Sequence, residues 1–216
     1  MTSRTHSSLA QWFVGAGWVI LCVAGGYWAM RYDFTPGWIG PARTAWPIDT
    51  ALERRPGAAT AVAFLHPRCV CTRATVKQLV RTLLAHPDAA LIVAAFIPPS
   101  SEGIRDLTAW ESNDYVKTIH GAIPSAQIVF DAGGAEALRF GAYTSGTILT
   151  YDAQGREIFR GGITDRRGGE NDNPGLRALA ASLTSKAARA PLVATPVFGC
   201  PLVIVRTQKP EGKRAW

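Results

Sequence analysis

The feature that most constrains this chain is a short apolar strand followed by two cysteines at the start of a helix. Residues 61–65 read AVAFL, a run typical of a buried strand, and Pro67 ends it because proline cannot donate to a central ladder. Cys69 and Cys71 come next, before a helical pattern. The apolar positions of that pattern are Val76, Leu79, Val80, Leu83 and Leu84. A helix N-terminus stabilises a thiolate, so the two cysteines predict thiol chemistry.

Strand and helix patterns alternate along the following residues. Strands are predicted over 91–97, 127–131, 147–151 and 157–159, and helices within 104–120 and over 135–140 and 176–189. A turn at Asp152–Gly155 joins the last two strands as a hairpin. Alternating strands and helices that end in a hairpin and a helix predict an α/β fold, with a mixed sheet flanked by helices on both faces.

An uncharged stretch of 20 residues, 11–30, lies near the start of the chain. At about 1.5 Å per residue a helix of this length spans roughly 30 Å, the thickness of the bilayer hydrocarbon. We interpret it as a transmembrane anchor preceded by a short tail, 1–10, and Cys22 within it as a packing residue. A cleaved signal peptide is the alternative, because Ala24 and the two glycines after it supply small residues.

The remaining segments complete the predicted organisation of the chain. Residues 31–57 are predicted to be a spacer, 58–205 a folded domain with a C-terminal extension that carries Cys200, and 206–216 a disordered basic tail. The net charge is +7, but no block of basic residues alternates with aromatic ones. Nucleic acid is therefore excluded as a partner, and the membrane is expected to be one through the N-terminal helix.

The thiol motif and its setting resemble the thioredoxin-fold superfamily over about residues 58–189. Three segments, 66–71 (HPRCVC), 159–164 (FRGGIT) and 196–201 (PVFGCP), look like the bacterial proteins called RedB-like. This resemblance implies a thiol–disulfide oxidoreductase that acts on protein thiols and disulfides without a cofactor. It also implies a single pass through the bacterial inner membrane, with the C-terminal domain in the periplasm.

Two departures from the family pattern concern the predicted site. The spacing here is Cys-x-Cys where the family has Cys-x-x-Cys, and Gly146 stands where the family has a proline before the hairpin. The resemblance assigns that loop, Ser145, Gly146 and Thr147, to substrate binding.

Two chemistries remain open for the cysteines. In the first, Cys69 is the more exposed thiol and attacks a substrate disulfide, while Cys71 or Cys200 resolves the mixed disulfide. His66 follows the strand closely and is predicted to be a base, a ligand or a capping group. In the second, His66, Cys69, Cys71 and Cys200 bind copper or zinc, since three sulfurs and one nitrogen suit either metal.

Both chemistries require Cys200 to lie near the other two thiols. Residues 191–205 hold three prolines and a series of apolar residues that is unusual for a free tail. We therefore expect this segment to fold back over the C-terminal edge of the sheet and to bring Cys200 beside Cys69 and Cys71. Residues 161–175, rich in glycine and charge, are interpreted as a solvated connection.

Overall fold

The computed structural model describes residues 4–98, 113–184 and 191–203. The chain divides into two compact units, Met1–Thr35 and Pro36–Trp216. The first unit contains one helix, α1 (Arg4–Asp33), which is longer than the predicted anchor at both ends. By length and composition Ala10–Asp33 is able to cross a membrane, and a signal sequence would share both properties.

The second unit is built around one six-stranded sheet with the order β3-β2-β1-β4-β5-β6. The strands are β1 (Thr60–Leu65), β2 (Ala90–Ile97), β3 (Gln127–Ala132), β4 (Thr147–Tyr151), β5 (Glu157–Gly161) and β6 (Val193–Ala194). The helices of this unit are α2 (Thr72–Leu84), α3 (Asp114–Ala122), α4 (Ala135–Phe140) and α5 (Pro174–Thr184).

The pairing of the strands identifies the type of fold. β1, β2 and β3 are parallel, as expected for strands joined by helical crossovers, whereas β4 is antiparallel to β1 and forms a hairpin with β5. β6 adds a short parallel strand beside β5. Three parallel strands, an antiparallel hairpin and helices on both faces make a thioredoxin-like fold. The predicted α/β class with a mixed sheet is confirmed.

The core lies on both faces of β1, the central strand, whose six residues are all buried. Ala61, Ala63 and Leu65 face one side, where the apolar faces of α2, α3 and α5 cover the sheet. Val62 and Phe64 face the other side, which α4 covers. Because both faces are buried, β1 reads as a continuous apolar run, and this run fixes the position of the cysteine turn that follows it.

Most element boundaries agree with the sequence analysis. β4 and α4 have the predicted limits, β5 continues two residues further, and β6 was not predicted. A two-residue strand carries too little periodicity to be recognised in a sequence. Parts of several predicted segments lie outside the described residues: the helical region before 113, the end of the last helix after 184, and all of the basic tail.

Residues 36–56, which the sequence analysis treats as a spacer, pack against the domain from Gly37 onward. The Trp46 ring meets Phe140 and Tyr151 edge to face at centroid distances of 5.2 and 4.9 Å. Leu52 is 3% exposed and belongs to the core on the α4 face. The prolines of this segment remove helical periodicity, but its apolar side chains still pack on the domain. The sequence pattern does not reveal this packing.

A buried ion pair secures the same segment. Arg160 on β5 pairs with Glu157, and both side chains are almost fully buried. The guanidinium also donates to the carbonyl oxygens of Gly40, Phe140 and Gly141, and Glu157 accepts from the backbone N–H of Arg43. Such a pair is tolerated in a core because its remaining donors and acceptors are satisfied.

Candidate active site

The cysteine turn connects the end of β1 to the start of α2. The N–H of Cys69 donates to the carbonyl of His66 at 3.0 Å, and the N–H of Thr72 donates to the carbonyl of Cys69 at 3.0 Å. Cys71 is the N-cap residue of α2 and makes no side-chain capping hydrogen bond. The turn therefore places both thiols at the helix N-terminus, as the sequence predicts, where the helix dipole favours negative charge.

Three thiols meet at this point. The Sγ atoms of Cys69 and Cys200 lie 2.9 Å apart, and the thiols of Cys69 and Cys71 also interact. All are free thiols. The prediction that the C-terminal segment brings Cys200 to the cysteine turn is confirmed by this distance.

The expectation that Cys69 is the exposed thiol is wrong. Cys69 is 2% exposed and Cys71 is 6% exposed, whereas Val70 between them is 82% exposed. The apex of the turn projects Val70 outward, and Cys200, which is partly exposed, lies on Cys69. Cys200 is therefore more accessible to solvent than the two thiols of the turn.

The three thiols differ in acidity. Burial raises the pKa of Cys69, but hydrogen bonds with Cys200, the turn backbone and the Thr72 hydroxyl more than offset this, so that the net shift is downward. Burial raises the pKa of Cys71, and the negative charge of Cys69 adds to the effect. Burial and the interaction with Cys69 raise the pKa of Cys200 to about 12. Cys69 is thus the most acidic of the three thiols.

The C-terminal segment reaches the thiols by pairing with the loop before β4. The N–H of Ser145 donates to the carbonyl of Cys200 at 2.8 Å, and the N–H of Leu202 donates to the carbonyl of Tyr143 at 2.8 Å. Thr144 and Pro201 face each other as an antiparallel bridge. Two stretches far apart in sequence therefore form a small ladder beside the cysteine turn.

The residues predicted to bind substrate lie in or beside this ladder, and all three are buried. The Ser145 hydroxyl accepts from the N–H of His66 at 2.9 Å and lies 3.0 Å from the Thr72 hydroxyl. The N–H of Gly146 donates to the carbonyl of Phe64. Its φ of +90° is accessible to glycine but not to proline. The Thr147 hydroxyl donates to the carbonyl of Thr144.

His66 organises the turn mainly through its backbone and ring. Its carbonyl accepts from Cys69, its ring stacks on Phe96 at 5.2 Å, and its Nδ1 accepts from the N–H of Arg68 at 3.1 Å. Burial lowers the pKa of His66, and the charge of Arg68 acts in the same direction. The imidazole is therefore neutral at pH 7. These contacts suit the capping role among the three roles that the sequence left open.

The start of α3 supports the turn from the other side. The Asn113 side-chain amide donates to the carbonyl of Pro67 at 2.8 Å, while its oxygen caps α3 by accepting from the N–H of Tyr115. The Tyr115 hydroxyl lies 3.5 Å from the carbonyl of Cys69. Neither residue is apparent from the sequence, because the contact depends on how α3 packs against α2.

Arg167 is a further site residue that the sequence analysis placed in a solvated connection. Its guanidinium donates to the carbonyl of Gly199, and its positive charge lowers the pKa values of Cys71 and Cys200, opposing burial. The sheet topology could have indicated that this residue lies near the cysteines. β5 runs parallel to β1, so the residues after β5 emerge at the edge of the sheet that carries the cysteines.

The alternative metal-binding prediction is not supported. Within the described part of the chain, no group of three or more His, Cys, Asp or Glu side chains is arranged to hold a metal ion. The described residues thus show no copper or zinc site at His66, Cys69, Cys71 and Cys200. The turn holds the imidazole against Phe96 with its Nδ1 already accepting a backbone hydrogen bond.

Comparisons with known proteins agree on the fold. No family model matches the chain, and no curated protein matches it. Among solved structures, an uncharacterized conserved protein from Geobacillus kaustophilus superposes with a TM-score of 0.53 at 16% identity, over 81% of this chain and 95% of that chain. At this identity the likeness shows the fold alone.

Two other structures superpose with lower scores. A hypothetical protein from Sinorhizobium meliloti gives a TM-score of 0.49 at 21% identity, over 78% of this chain and 93% of that chain. A secreted disulfide oxidoreductase from Mycobacterium tuberculosis gives 0.40 at 16% identity, over 59% of this chain and 81% of that chain. By its own strand order and pairing, the second unit of this chain has a thioredoxin-like fold.

Proposed function

We propose that this chain is a membrane-tethered thiol–disulfide oxidoreductase of the RedB-like type, acting on thiols and disulfides of other proteins. One observation carries the proposal: the Sγ atoms of Cys69 and Cys200 are 2.9 Å apart at the N-terminus of α2. An S–S bond is about 2.05 Å long, so oxidation requires a movement of only about 1 Å between these sulfurs.

The acidity of the pair suits disulfide exchange. A thiolate is the nucleophile in such reactions, and a thiol of low pKa is also the better leaving group. The pKa of Cys69 is lowered although the residue is buried, because its hydrogen bonds outweigh the effect of burial. Cys69 is therefore assigned as the redox-active thiol.

We assign Cys200, in place of Cys71, as its disulfide partner. A bond between Cys69 and Cys71 would close a small ring inside a turn that backbone hydrogen bonds from Cys69 and Thr72 already hold. The bond to Cys200 joins two independent segments and leaves those hydrogen bonds in place. Cys71 then remains a third, protonated thiol beside Arg167, since burial raises its pKa.

The tether and the compartment are part of the same proposal. The stretch Ala10–Asp33 of α1 has the length and hydropathy of a membrane span, and its described side chains include exposed Trp12 and Trp28 near opposite ends, where an aromatic belt would lie. Stable disulfides need an oxidising compartment such as the bacterial periplasm. A domain held there by α1 would meet exported proteins that contain cysteines.

The test compares disulfide exchange by the full chain and by Cys69→Ser, both in detergent micelles. The readout is the rate of thiol–disulfide exchange with a peptide that carries two cysteines. Cys69→Ser is expected to lower the rate at least about 100-fold, because the stabilised thiolate is lost. Cys22→Ser is the matched control, since it removes a thiol of α1, and should retain the full rate. Full activity in Cys69→Ser would refute the assignment.

A further inference from the structure

The position of Cys200 suggests how a partner protein reaches the buried thiols. The segment Gly199–Leu202 is anchored by its backbone, through Ser145 N–H to the carbonyl of Cys200 and Leu202 N–H to the carbonyl of Tyr143. A Cβ at Gly199 would overlap the carbonyl oxygen of Ser145, so the segment lies as close to the loop as a polypeptide can. Cys200 is therefore held close to this loop as long as the segment is docked.

The exposures of the three thiols differ in a way that matters for a large partner. Cys69 and Cys71 are 2% and 6% exposed, whereas Cys200 is partly exposed and is followed by the exposed Pro201. Disulfide exchange needs the attacking sulfur to approach the sulfur it attacks from outside. Of the three, Cys200 is the sulfur that a macromolecule can approach while the segment stays docked.

We propose that Cys200 is the sulfur that meets the partner: in the oxidised protein, a partner thiolate attacks Sγ of a Cys69–Cys200 disulfide at Cys200, and Cys69 leaves. This inference rests on the proposed function and adds the entry point and the direction of electron flow. The new bond joins Cys200 to the partner sulfur, the Cys69–Cys200 bond breaks, and Cys69 takes the electron pair as a thiolate.

The second step completes the oxidation of the partner. A second partner thiolate attacks the partner sulfur of the mixed disulfide, and Cys200 leaves with the electron pair and takes up a proton. The partner dithiol loses two electrons and becomes a disulfide, while the disulfide of this chain becomes two thiols. The substrate class is thus a protein with two reduced cysteines that can approach each other.

The environment of Cys69 supports this direction. Hydrogen bonds hold the departing sulfur as a thiolate and lower the pKa of Cys69, while the pKa of Cys200 is raised to about 12. A stabilised thiolate leaves faster and makes the reduced form more stable, which is the property of an oxidising disulfide. Attack at Cys69 would instead expel Cys200, the poorer leaving group.

The experiment maps the first adduct on the full-length chain with Cys22→Ser, oxidised in detergent micelles. Reduced glutathione is added briefly, the reaction is stopped with acid, and free thiols are alkylated. Trypsin separates residues 69–73, which hold Cys69 and Cys71, from residues 190–206, which hold Cys200. Before glutathione is added, the two peptides are expected to be joined by a disulfide. Afterwards Cys200 is expected to carry at least about tenfold more glutathione than Cys69 and Cys71 together.

The outcomes separate this inference from the proposed function. Glutathione found mainly on Cys69 or Cys71 overturns the assignment of Cys200 as entry sulfur but leaves an oxidoreductase. A chain that forms no disulfide under oxidising conditions, or whose disulfide does not exchange, overturns both. The same mapping on Cys71→Ser identifies the bond directly: retention of the link between the two peptides is expected, and its loss would assign the pairing to Cys71 and Cys200.

Discussion

The cysteine turn, residues 66–72, and the docked segment, Gly199–Leu202, contribute one sulfur each to the proposed pair but are supported in different ways. The turn continues a fully buried central strand into a helix of 13 residues. The docked segment follows a strand of only two residues and is held by a few hydrogen bonds to one loop and to Arg167, together with one core side chain, Leu202. Regions with few buried contacts open at lower free energy, so the segment should open without unfolding the turn.

The largest effect on stability is expected for a substitution in the core that supports the turn. Phe64 is fully buried in β1, two residues before His66, and packs on Phe140 at a centroid distance of 5.4 Å. Phe64→Ala leaves a cavity and should lower the free energy of unfolding by about 3–5 kcal/mol. Val70→Ala, at the exposed apex of the turn, should change it by less than about 0.5 kcal/mol. Urea denaturation measures both. Equal effects would mean that the turn does not depend on the core.

The docked segment should respond to a change that leaves the core intact. Gly199→Ala adds a Cβ against Ser145, and overpacking of this kind costs about 1–3 kcal/mol. The segment relieves the clash by opening, so alkylation of Cys69 should become about tenfold faster or more, since 1.4 kcal/mol corresponds to a factor of ten. Gly121→Ala in α3, where a Cβ meets nothing within 4 Å, is the control. An unchanged alkylation rate would show that the segment does not cover Cys69.

The same difference explains what could be predicted from the sequence. The turn is a local feature: an apolar run, a proline, two cysteines and an amphipathic helix stand next to each other, so its fold position and its chemistry are readable. The position of Cys200 beside the turn could be predicted from the apolar character of its segment. The contacts of this segment with Ser145 and Tyr143 join residues more than fifty positions apart, and no local pattern encodes them. Burial of Cys69 was missed for this reason, because the cover comes from the far segment.

Arg167 links the two regions, and its substitution should have a smaller effect, on the alkylation of Cys71. It donates to Gly199 and lies beside Cys71, whose pKa it lowers against the larger effect of burial. Arg167→Gln removes the positive charge that opposes the effect of burial, so it should raise the pKa of Cys71 further. The alkylation profile of Cys71 should therefore move to higher pH. Arg166→Gln removes the same charge one residue earlier and should leave the profile in place. Equal shifts in the two variants would indicate a general charge effect.

The smallest effect concerns the sulfur of Cys69 itself. Burial raises its pKa, and the Thr72 hydroxyl is one of several hydrogen-bonding groups that bring it below the ordinary value. Thr72→Val keeps the shape of this buried side chain but removes the hydroxyl. A lost hydrogen bond of about 0.7 kcal/mol should raise the midpoint of the Cys69 alkylation profile by about half a pH unit. The sign follows because the hydroxyl favours the thiolate, so that without it more base is needed to deprotonate the thiol.

The control for this change is Thr82→Val, at the other end of α2. Thr82 is also buried, and its hydroxyl donates to the carbonyl of Gln78, four residues earlier in the same helix. This substitution should leave the Cys69 midpoint unchanged, so that a general loosening of α2 is distinguished from loss of the hydrogen bond. If Thr72→Val moves the midpoint to lower pH, the hydroxyl acts by keeping the thiol protonated. The acidity of Cys69 would then come from the docked segment and the turn backbone, and opening the segment with Gly199→Ala should raise the midpoint instead.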